Sequence, residues 1–203
     1  NIARESFYNE NIDIVIERNT QKDFILLYIG DTGERRGLKT VIRSIPRLVE
    51  NIKNIKLIIV GKRTNNLEEE VISLKVDKYV KFEGWQEEST FLNYIKESDI
   101  CLSPLHRNIH HDTTYANKLF QYMSLGKPLL VSNATAQKNL IEKINAGLVH
   151  SEKNVEDFES KVLELYKNEV LRNKLGQNGK NFVRNEFTWD KTSKELINLY
   201  KNL

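Results

Sequence analysis

The segment NKLFQYMSLGKPLLVS, residues 117–132, joins a helical pattern to a strand pattern and decides the fold class. Its first half spaces apolar side chains as one buried face of a helix requires. Gly126 and Pro128 end that helix, because glycine favours the left-handed turn after a helix and proline cannot continue one. The apolar run Pro128 to Ser132 then has the length and composition of a strand. A helix that turns directly into an apolar strand predicts alternating helices and strands.

Further apolar runs of strand length occur on both sides of this segment, with helical spacing between them. They are residues 24–29, 56–60, 79–82, 99–103 and 147–150. The runs lack polar alternation, which is typical of parallel strands covered on both faces. From residue 155 onward the spacing is helical only. We therefore predict an α/β fold, a Rossmann-like doubly wound parallel sheet with C-terminal helices.

Length and composition describe one domain with a sizeable core in 203 residues. The 31 basic and 28 acidic residues give a net charge of +3, too small an excess to indicate a nucleic-acid partner. The single cysteine, Cys101, excludes an internal disulfide and fits a reducing compartment, so we expect a cytoplasmic location. No apolar run is long enough for a membrane span. Residues 1–23 are predicted to be a connector, and residues 24–203 the domain.

In a doubly wound sheet, ligands bind beyond the carboxyl ends of the strands, so the loops there are the candidate sites. The first loop, residues 30–37, reads GDTGERRG and opens onto a helix. Its glycines allow a tight turn, and Arg35 and Arg36 offer donors suited to phosphate. A tight turn with solvated arginines is an equally good interpretation. The loop matches neither GxGxxG nor a P-loop, which disfavours a redox dinucleotide site or an NTPase.

The fourth loop, residues 104–117, is crowded with polar side chains and leads into the helix quoted above. We expect Thr114 or Asn117 to cap that helix, leaving neighbouring amides free for a phosphate. Three of the four histidines lie in this loop, but their spacing matches no structural zinc pattern, so no metal is predicted. Gln121, one turn into the helix, is expected in a largely buried segment where its amide needs a partner.

One of the two tryptophans, Trp85, follows the third strand. It either packs beneath the next helix or covers a base, and packing is the commoner fate of a lone tryptophan. No spacing indicates a Ser-His-Asp or Cys-His arrangement. Cys101 lies inside an apolar strand and is interpreted as a small buried hydrophobe.

Together these segments resemble the C-terminal domain of the group 1 glycosyltransferases, the retaining GT-B enzymes. The resemblance covers roughly residues 24–202, with six motifs in the family's order. The motifs are Tyr28-Ile29-Gly30 with Arg36-Gly37, and residues 57–61, 80–85, 98–104, 117–128 and 187–189. The fifth is similar to the family's Glu-Ala-Met-Ala-x-Gly-x-Pro signature.

The resemblance implies roles for the matched positions. Arg36, and Arg35 beside it, would meet the donor pyrophosphate, and the backbone from Phe82 to Trp85 would border the base. Gln121 stands where the family has the second glutamate of its Glu-x7-Glu pair, which holds the ribose. Thr113 stands where the first glutamate lies, near the transferred sugar, and Asp112 is an alternative source of that carboxylate.

The predicted site is therefore as follows. Arg36 and Thr113 are the candidate catalytic residues, and the candidate donor-binding residues are Gly30, Arg35, Arg36, Phe82, Gly84, Trp85, Asp112, Thr113, Thr114, Tyr115, Asn117, Leu119 and Gln121. No metal and no cofactor is implied.

By this resemblance the intact enzyme takes a sugar from a nucleotide-diphosphate sugar and transfers it with retention of the anomeric configuration. The acceptor, a glycan or a lipid-linked sugar, would bind an N-terminal domain that this chain lacks. We expect the chain to supply the donor-binding half and to transfer nothing alone. Peripheral association of the full-length protein with the inner face of the cell membrane stays open.

Three alternatives remain. Loss of both family glutamates favours an inactive nucleotide-sugar-binding module. A GT-B epimerase-like enzyme would need more acid/base carboxylates in its cleft than these loops offer. A receiver-like signalling domain expects an acidic pocket at the first strand end, where Arg35 and Arg36 dominate instead.

Overall fold

The computed structural model describes residues 23–187, 193 and 197–201. Within them a six-stranded, wholly parallel sheet has the order β3-β2-β1-β4-β5-β6. The strands are β1 Phe24–Ile29, β2 Ile55–Val60, β3 Val80–Gly84, β4 Ile100–Ser103, β5 Leu129–Ser132 and β6 Gly147–His150. The predicted doubly wound α/β fold is confirmed.

Helices connect the strands and cover both faces of the sheet. They are α1 Leu38–Asn51, α2 Asn65–Ser73, α3 Phe91–Glu97, α4 Ile109–Thr113, α5 Asn117–Ser124, α6 Thr135–Ile144, α7 Val155–Lys167 and α8 Glu169–Glu186. The short helix α4 lies inside the fourth loop and was not expected. Residues 1–22, most of the predicted connector, and Thr188-Trp189 of the last motif lie outside the described residues.

The central strand β1 shows why the apolar runs lack polar alternation. Its side chains point alternately into two cores. Leu26 and Tyr28 pack with residues of α1, α2 and α7, whereas Leu27 and Ile29 pack with residues of α3, α5 and α6. All four are at most 3% exposed. Burial on both faces favours apolar side chains at every position of the strand.

The strand order reverses between β1 and β4, and the loops after these two strands leave the sheet side by side. Gly37 has φ 74°, and a side-chain carbon there would lie 1.8 Å from the carbonyl oxygen of Pro104. The amide of His106 donates to the carbonyl of Arg35 at 2.9 Å. The two loops therefore touch through their backbones, at the point where sheets of this kind bind ligands.

Candidate functional site

The start of α5 lies between these two loops. Its N-cap is Ala116, whose side chain cannot cap, and Asn117 is already the first helical residue. The expectation that Thr114 or Asn117 caps this helix is therefore wrong. The Thr114 hydroxyl instead donates to the carbonyl of His110 at 2.7 Å. The first amides of α5 lack a side-chain acceptor and carry the positive end of the helix dipole, a combination that suits an anion.

The first loop holds its two arginines around one carboxylate. Asp31 lies 3.1 Å from Nε of Arg36 and 3.6 Å from a guanidinium nitrogen of Arg35. Partial burial raises the pKa of Asp31, but the Gly33 amide and the Arg36 guanidinium outweigh it and lower the pKa below its usual value. The Arg36 side chain is 20% exposed and that of Arg35 54%, so both guanidinium groups can be reached from solvent.

A third cation, Lys118, lies beside this loop and was absent from the predicted site. Its Nζ sits 3.7 Å from the centre of the Tyr28 ring. The hydroxyl of Tyr28 in turn donates to the carbonyl of Asp31 at 2.5 Å. Burial, with Arg36 second, holds the pKa of Lys118 well below its usual range. The only hint in the sequence is the position of this lysine, within the first turn of the helix that follows the fourth loop.

Most polar groups of the fourth loop are paired within the protein, but the buried Nε2 of His111 has no hydrogen-bond partner among the described residues. Asn108 caps α4 by accepting the His111 amide at 2.9 Å. His111 is buried, with Nδ1 2.7 Å from the carbonyl of His106, and burial lowers the pKa of its imidazole. The Thr113 hydroxyl donates to the carbonyl of Ile109 at 2.6 Å. The hydrogen of this hydroxyl is therefore committed, while its lone pairs can still accept.

Asp112 is tied to the start of α6. Its carboxylate accepts the Thr135 amide at 2.7 Å and pairs with Arg107 at 3.3 Å. The Thr135 amide first, and Arg107 second, lower the pKa of Asp112. This carboxylate therefore serves as a cap for α6, which leaves it poorly suited to replace the missing family glutamate.

A buried amide fixes the base of the fourth loop. Gln137 of α6 accepts from the Ser103 hydroxyl at 2.8 Å and donates to the carbonyls of Ser103 and Ser132, each at 3.0 Å. These bonds tie the carboxyl ends of β4 and β5 together. The fourth loop therefore leaves the sheet from a rigid base.

Gln121 is half-buried, and its partner is a residue that the sequence did not suggest. Its Nε2 donates to Oε1 of Glu88 at 3.2 Å. Glu88 opens a short turn after β3, 33 residues away along the chain, and is exposed. The segment is buried at Leu119, Phe120, Tyr122 and Met123, as expected, whereas Gln121 itself is only half-buried and has a carboxylate beside its amide.

The third loop places Trp85 in the open. The side chain is 76% exposed, so the expectation that it packs beneath the next helix is wrong. Gly84 before it has φ 73°, a left-handed conformation that favours glycine, and turns the chain outward at the end of β3. Phe82 is partly buried against the core, and its carbonyl accepts from Arg63 at 2.9 Å.

The other predicted contacts divide between surface and core. Gly30, with φ 135°, ends β1 beside the Tyr28 hydroxyl. Tyr115 is 50% exposed and lies edge-on to Phe120. Leu119 is fully buried and its amide donates to Ala116, so its side chain faces the core and not the cleft.

The described residues contain neither a metal cluster nor a membrane-spanning helix. They hold no group of three or more His, Cys, Asp or Glu side chains arranged for a metal ion. None of the helices described is long and apolar enough to cross a bilayer.

Comparison with known proteins supplies a family. The model of "Glycosyl transferases group 1" matches residues 9–182. An uncharacterized glycosyltransferase of Methanocaldococcus jannaschii is 25% identical over 179 residues, 87% of this chain and 44% of that protein. The chain spans about half the length of the curated relatives it matches, from 44% to 55%.

Solved structures share the fold. HepE of Anabaena, determined in complex with UDP, has a TM-score of 0.78 and 12% identity over 90% of this chain and 50% of that chain. The C-terminal domain of LpcC, a group 1 family glycosyl transferase of Francisella tularensis, has a TM-score of 0.70 and 18% identity over 82% of this chain and 87% of that one. At these identities the structures establish the fold alone.

Proposed function

The chain belongs to the group 1 glycosyl transferases as a C-terminal, half-size domain, and from that premise we propose that it binds the donor, a nucleotide-diphosphate sugar. The observation that carries the proposal is the uncapped start of α5, flanked by Arg36 at the reversal of the strand order. Helix amides and a guanidinium together form a site for a diphosphate. That HepE was determined with UDP agrees with this choice of ligand.

The diphosphate takes the arginines from Asp31. In the structure Arg35 and Arg36 surround one carboxylate, with both guanidinium groups accessible to solvent. A doubly charged diphosphate competes well for such exposed pairs, because a surface ion pair contributes only about 0–1 kcal/mol. Asp31 thus holds the guanidinium groups near the start of α5 until the donor arrives.

The nucleoside lies toward the third loop. Gln121 and Glu88 together offer an amide and a carboxylate to the ribose hydroxyls, 3.2 Å apart from one another. A carboxylate is the usual partner of ribose hydroxyls in folds of this kind. The exposed ring of Trp85 and the backbone at Phe82 and Gly84 border the base.

The contribution to catalysis is electrostatic. When the glycosidic bond to phosphate breaks, negative charge grows on the leaving diphosphate. Arg36 and the first amides of α5 are preorganised for that charge. These amides lie near Asn117, directly after the segment Thr114-Tyr115. Front-face attack by the acceptor gives retention and needs no metal. Thr113 is the residue placed near the transferred sugar, where its lone pairs accept from a sugar hydroxyl.

The intact enzyme supplies the acceptor site. We propose that a glycan or a lipid-linked sugar binds the other half, that the full-length protein works in the cytoplasm at or near the membrane surface, and that this chain alone transfers nothing. Transfer of sugar by the 203-residue chain by itself would overturn the last point.

A second candidate function is an inactive nucleotide-sugar-binding module. Three observations favour it: Thr113 and Gln121 are uncharged, and Asp112 is tied to Arg107 and α6. The full-length protein and its Gln121→Glu variant separate the two candidates. Measurable transfer before the substitution excludes the inactive module, whereas activity only after it supports that module.

The donor proposal is tested by thermal unfolding of the chain with UDP, GDP and their common sugar conjugates. We expect one nucleotide family to raise the unfolding midpoint, because a ligand that binds only the folded state stabilises it. The matching nucleoside should give a much smaller shift, since it lacks the diphosphate. No stabilisation of the full-length protein by any of these compounds would refute the proposal.

A further inference from the structure

Lys118 is a half-buried cation that lies against an aromatic ring. Its ammonium lies against the face of the Tyr28 ring, with Nζ 3.7 Å from the ring centre. Within the described part of the chain it makes no hydrogen bond or ion pair, and its side chain is only partly reached by solvent. A cation held over an aromatic ring gains some attraction from the ring, but the ring accepts only weakly from its three donors.

The groups facing this ammonium do not neutralise it. Arg36 of the first loop repels it, and Asp31 attracts it but is shared with Arg35 and Arg36. From β4 it faces Cys101, whose buried thiol has a pKa raised to about 12 and is therefore uncharged. From β1 it faces Tyr28, whose pKa burial also raises, so this ring is neutral too. An unpaired, partly desolvated cation is costly and marks a place where an anion binds.

We propose that Lys118 is a third cation of the donor site and that it pairs with the diphosphate beside Arg36 and the first turn of α5. The proposal rests on the proposed function. It adds a cation from helix α5 to a donor site that otherwise consists of the glycine turn and the arginines of the first loop. The Tyr28 ring serves as the platform that keeps the ammonium pointed at the ligand and away from solvent.

This placement has a consequence for protons. Burial, with Arg36, lowers the pKa of Lys118 in the free chain. A bound diphosphate favours the charged form and raises that pKa again. At a pH between the pKa of Lys118 in the free chain and its pKa in the complex, diphosphate binding must therefore be accompanied by uptake of a proton. The affinity for diphosphate must fall as the pH rises through the pKa of the free chain. The window lies below the usual lysine pKa of about 10.4.

The first test compares Lys118→Met with the unchanged chain and with Lys39→Met as a matched control. Lys39 is a half-buried lysine of α1, and its charge acts on Glu70. Affinities for UDP and GDP, and for uridine and guanosine, are measured by ligand-observed NMR, which reaches millimolar binding.

We expect Lys118→Met to weaken binding of the diphosphate that the chain prefers by about ten- to a hundredfold, the effect of losing one charge-assisted bond. Nucleoside binding should stay within about twofold, and the unfolding midpoint should rise, because an unpaired buried cation is replaced by an apolar side chain of similar length. Lys39→Met should leave every affinity unchanged. A purely structural lysine would give the reverse, with a lower midpoint and equal losses for diphosphate and nucleoside.

The second test is calorimetry of diphosphate binding at several pH values below the usual lysine pKa of about 10.4, in buffers of different ionisation enthalpy. Proton uptake in the unchanged chain, absent in Lys118→Met, supports the proposal. Equal proton exchange in both chains overturns it. If Arg36→Gln weakens diphosphate binding while Lys118→Met does not, the inference fails and the donor site stands. If the unchanged chain binds neither UDP nor GDP, the proposed function fails and the inference with it.

Discussion

The first loop, residues 30–37, and the fourth loop, residues 104–117, border the same helix start but use their polar side chains differently. In the first loop Arg35 and Arg36 are held by one exposed carboxylate and can be taken over by a ligand. In the fourth loop Asn108, Thr113 and Asp112 are paired within the protein, with a helix amide, a backbone carbonyl and the amide that begins α6.

This difference distinguishes residues that bind the ligand from residues that support the structure of the site. A loop whose polar groups are already paired inside the protein gains little from a ligand, whereas exposed charge pairs exchange partners at small cost. We therefore expect substitutions in the first loop to change diphosphate affinity, and substitutions in the fourth loop to change stability.

The largest expected effect is at the contact between the two loops. Gly37→Ala places a side chain 1.8 Å from the Pro104 carbonyl oxygen at φ 74°, so the loops must separate. We expect a loss of about 3 kcal/mol in the free energy of unfolding, measured by urea denaturation. Gly84→Ala is the matched control, since it has φ 73° but nothing within 4 Å. It should lose only about 1 kcal/mol. Equal losses would show that the loop contact is unimportant.

Arg36→Gln tests the first loop as the binding loop. Removing a charge-assisted contact to phosphate should cost about 2 kcal/mol, or roughly thirtyfold in diphosphate affinity by titration calorimetry. The unfolding midpoint should change little, because the guanidinium pairs only with an exposed carboxylate. A variant that loses stability and keeps its diphosphate affinity would show that the first loop supports the fold and does not bind the ligand.

Asn108→Ala tests the fourth loop as the supporting loop. Its side chain caps α4, and Asn154 caps a different helix, α7, in the same way, accepting the Asp157 amide at 2.9 Å. Both alanine variants should lose about 1 kcal/mol of unfolding free energy and keep their diphosphate affinity. A drop in affinity for Asn108→Ala alone would mean that the fourth loop binds the ligand directly.

Thr113→Val tests the proposal that this fourth-loop residue lies near the transferred sugar. Its hydroxyl already donates to Ile109, so a sugar hydroxyl meets only its lone pairs. We expect transfer by the full-length enzyme to fall about threefold, since one neutral hydrogen bond contributes roughly 0.5–1.5 kcal/mol. Thr114→Val is the control, and an unchanged rate for both variants would remove Thr113 from the catalytic residues.

Asp31→Asn should have the smallest effect, and in the opposite direction. Freed from its carboxylate, the arginine pair should bind diphosphate two- to threefold more tightly at low salt, about 0.5 kcal/mol. The gain should fade as salt screens the charges. Asp77→Asn is the control for net charge, since Asp77 lies just before the amino end of the edge strand β3. Weaker binding after Asp31→Asn would show that the carboxylate orients the arginines instead of competing for them.

The sheet was predictable because two-sided burial leaves unbroken apolar runs, and β1 and β5 are such runs. The site was less predictable from the sequence than the sheet. The helix α4 has five residues, too few for a periodic pattern. The partner of Gln121 is 33 residues distant in sequence, so spacing gives no sign of Glu88. The exposure of Trp85 depends on how Gly84 turns the chain, which composition does not record.

The strand order also has a consequence for synthesis on the ribosome. Strands β1, β2 and β3 come from residues 24–84 and form one contiguous half of the sheet, while β4, β5 and β6 are made later. The arginines of the first loop emerge early, but the helix start they serve arrives only with Asn117–Ser124. A nascent chain that holds only the first half-sheet has no donor site. A nucleotide therefore cannot assist the folding of that half. It can stabilise only a chain in which α5 and the second half of the sheet have also been made.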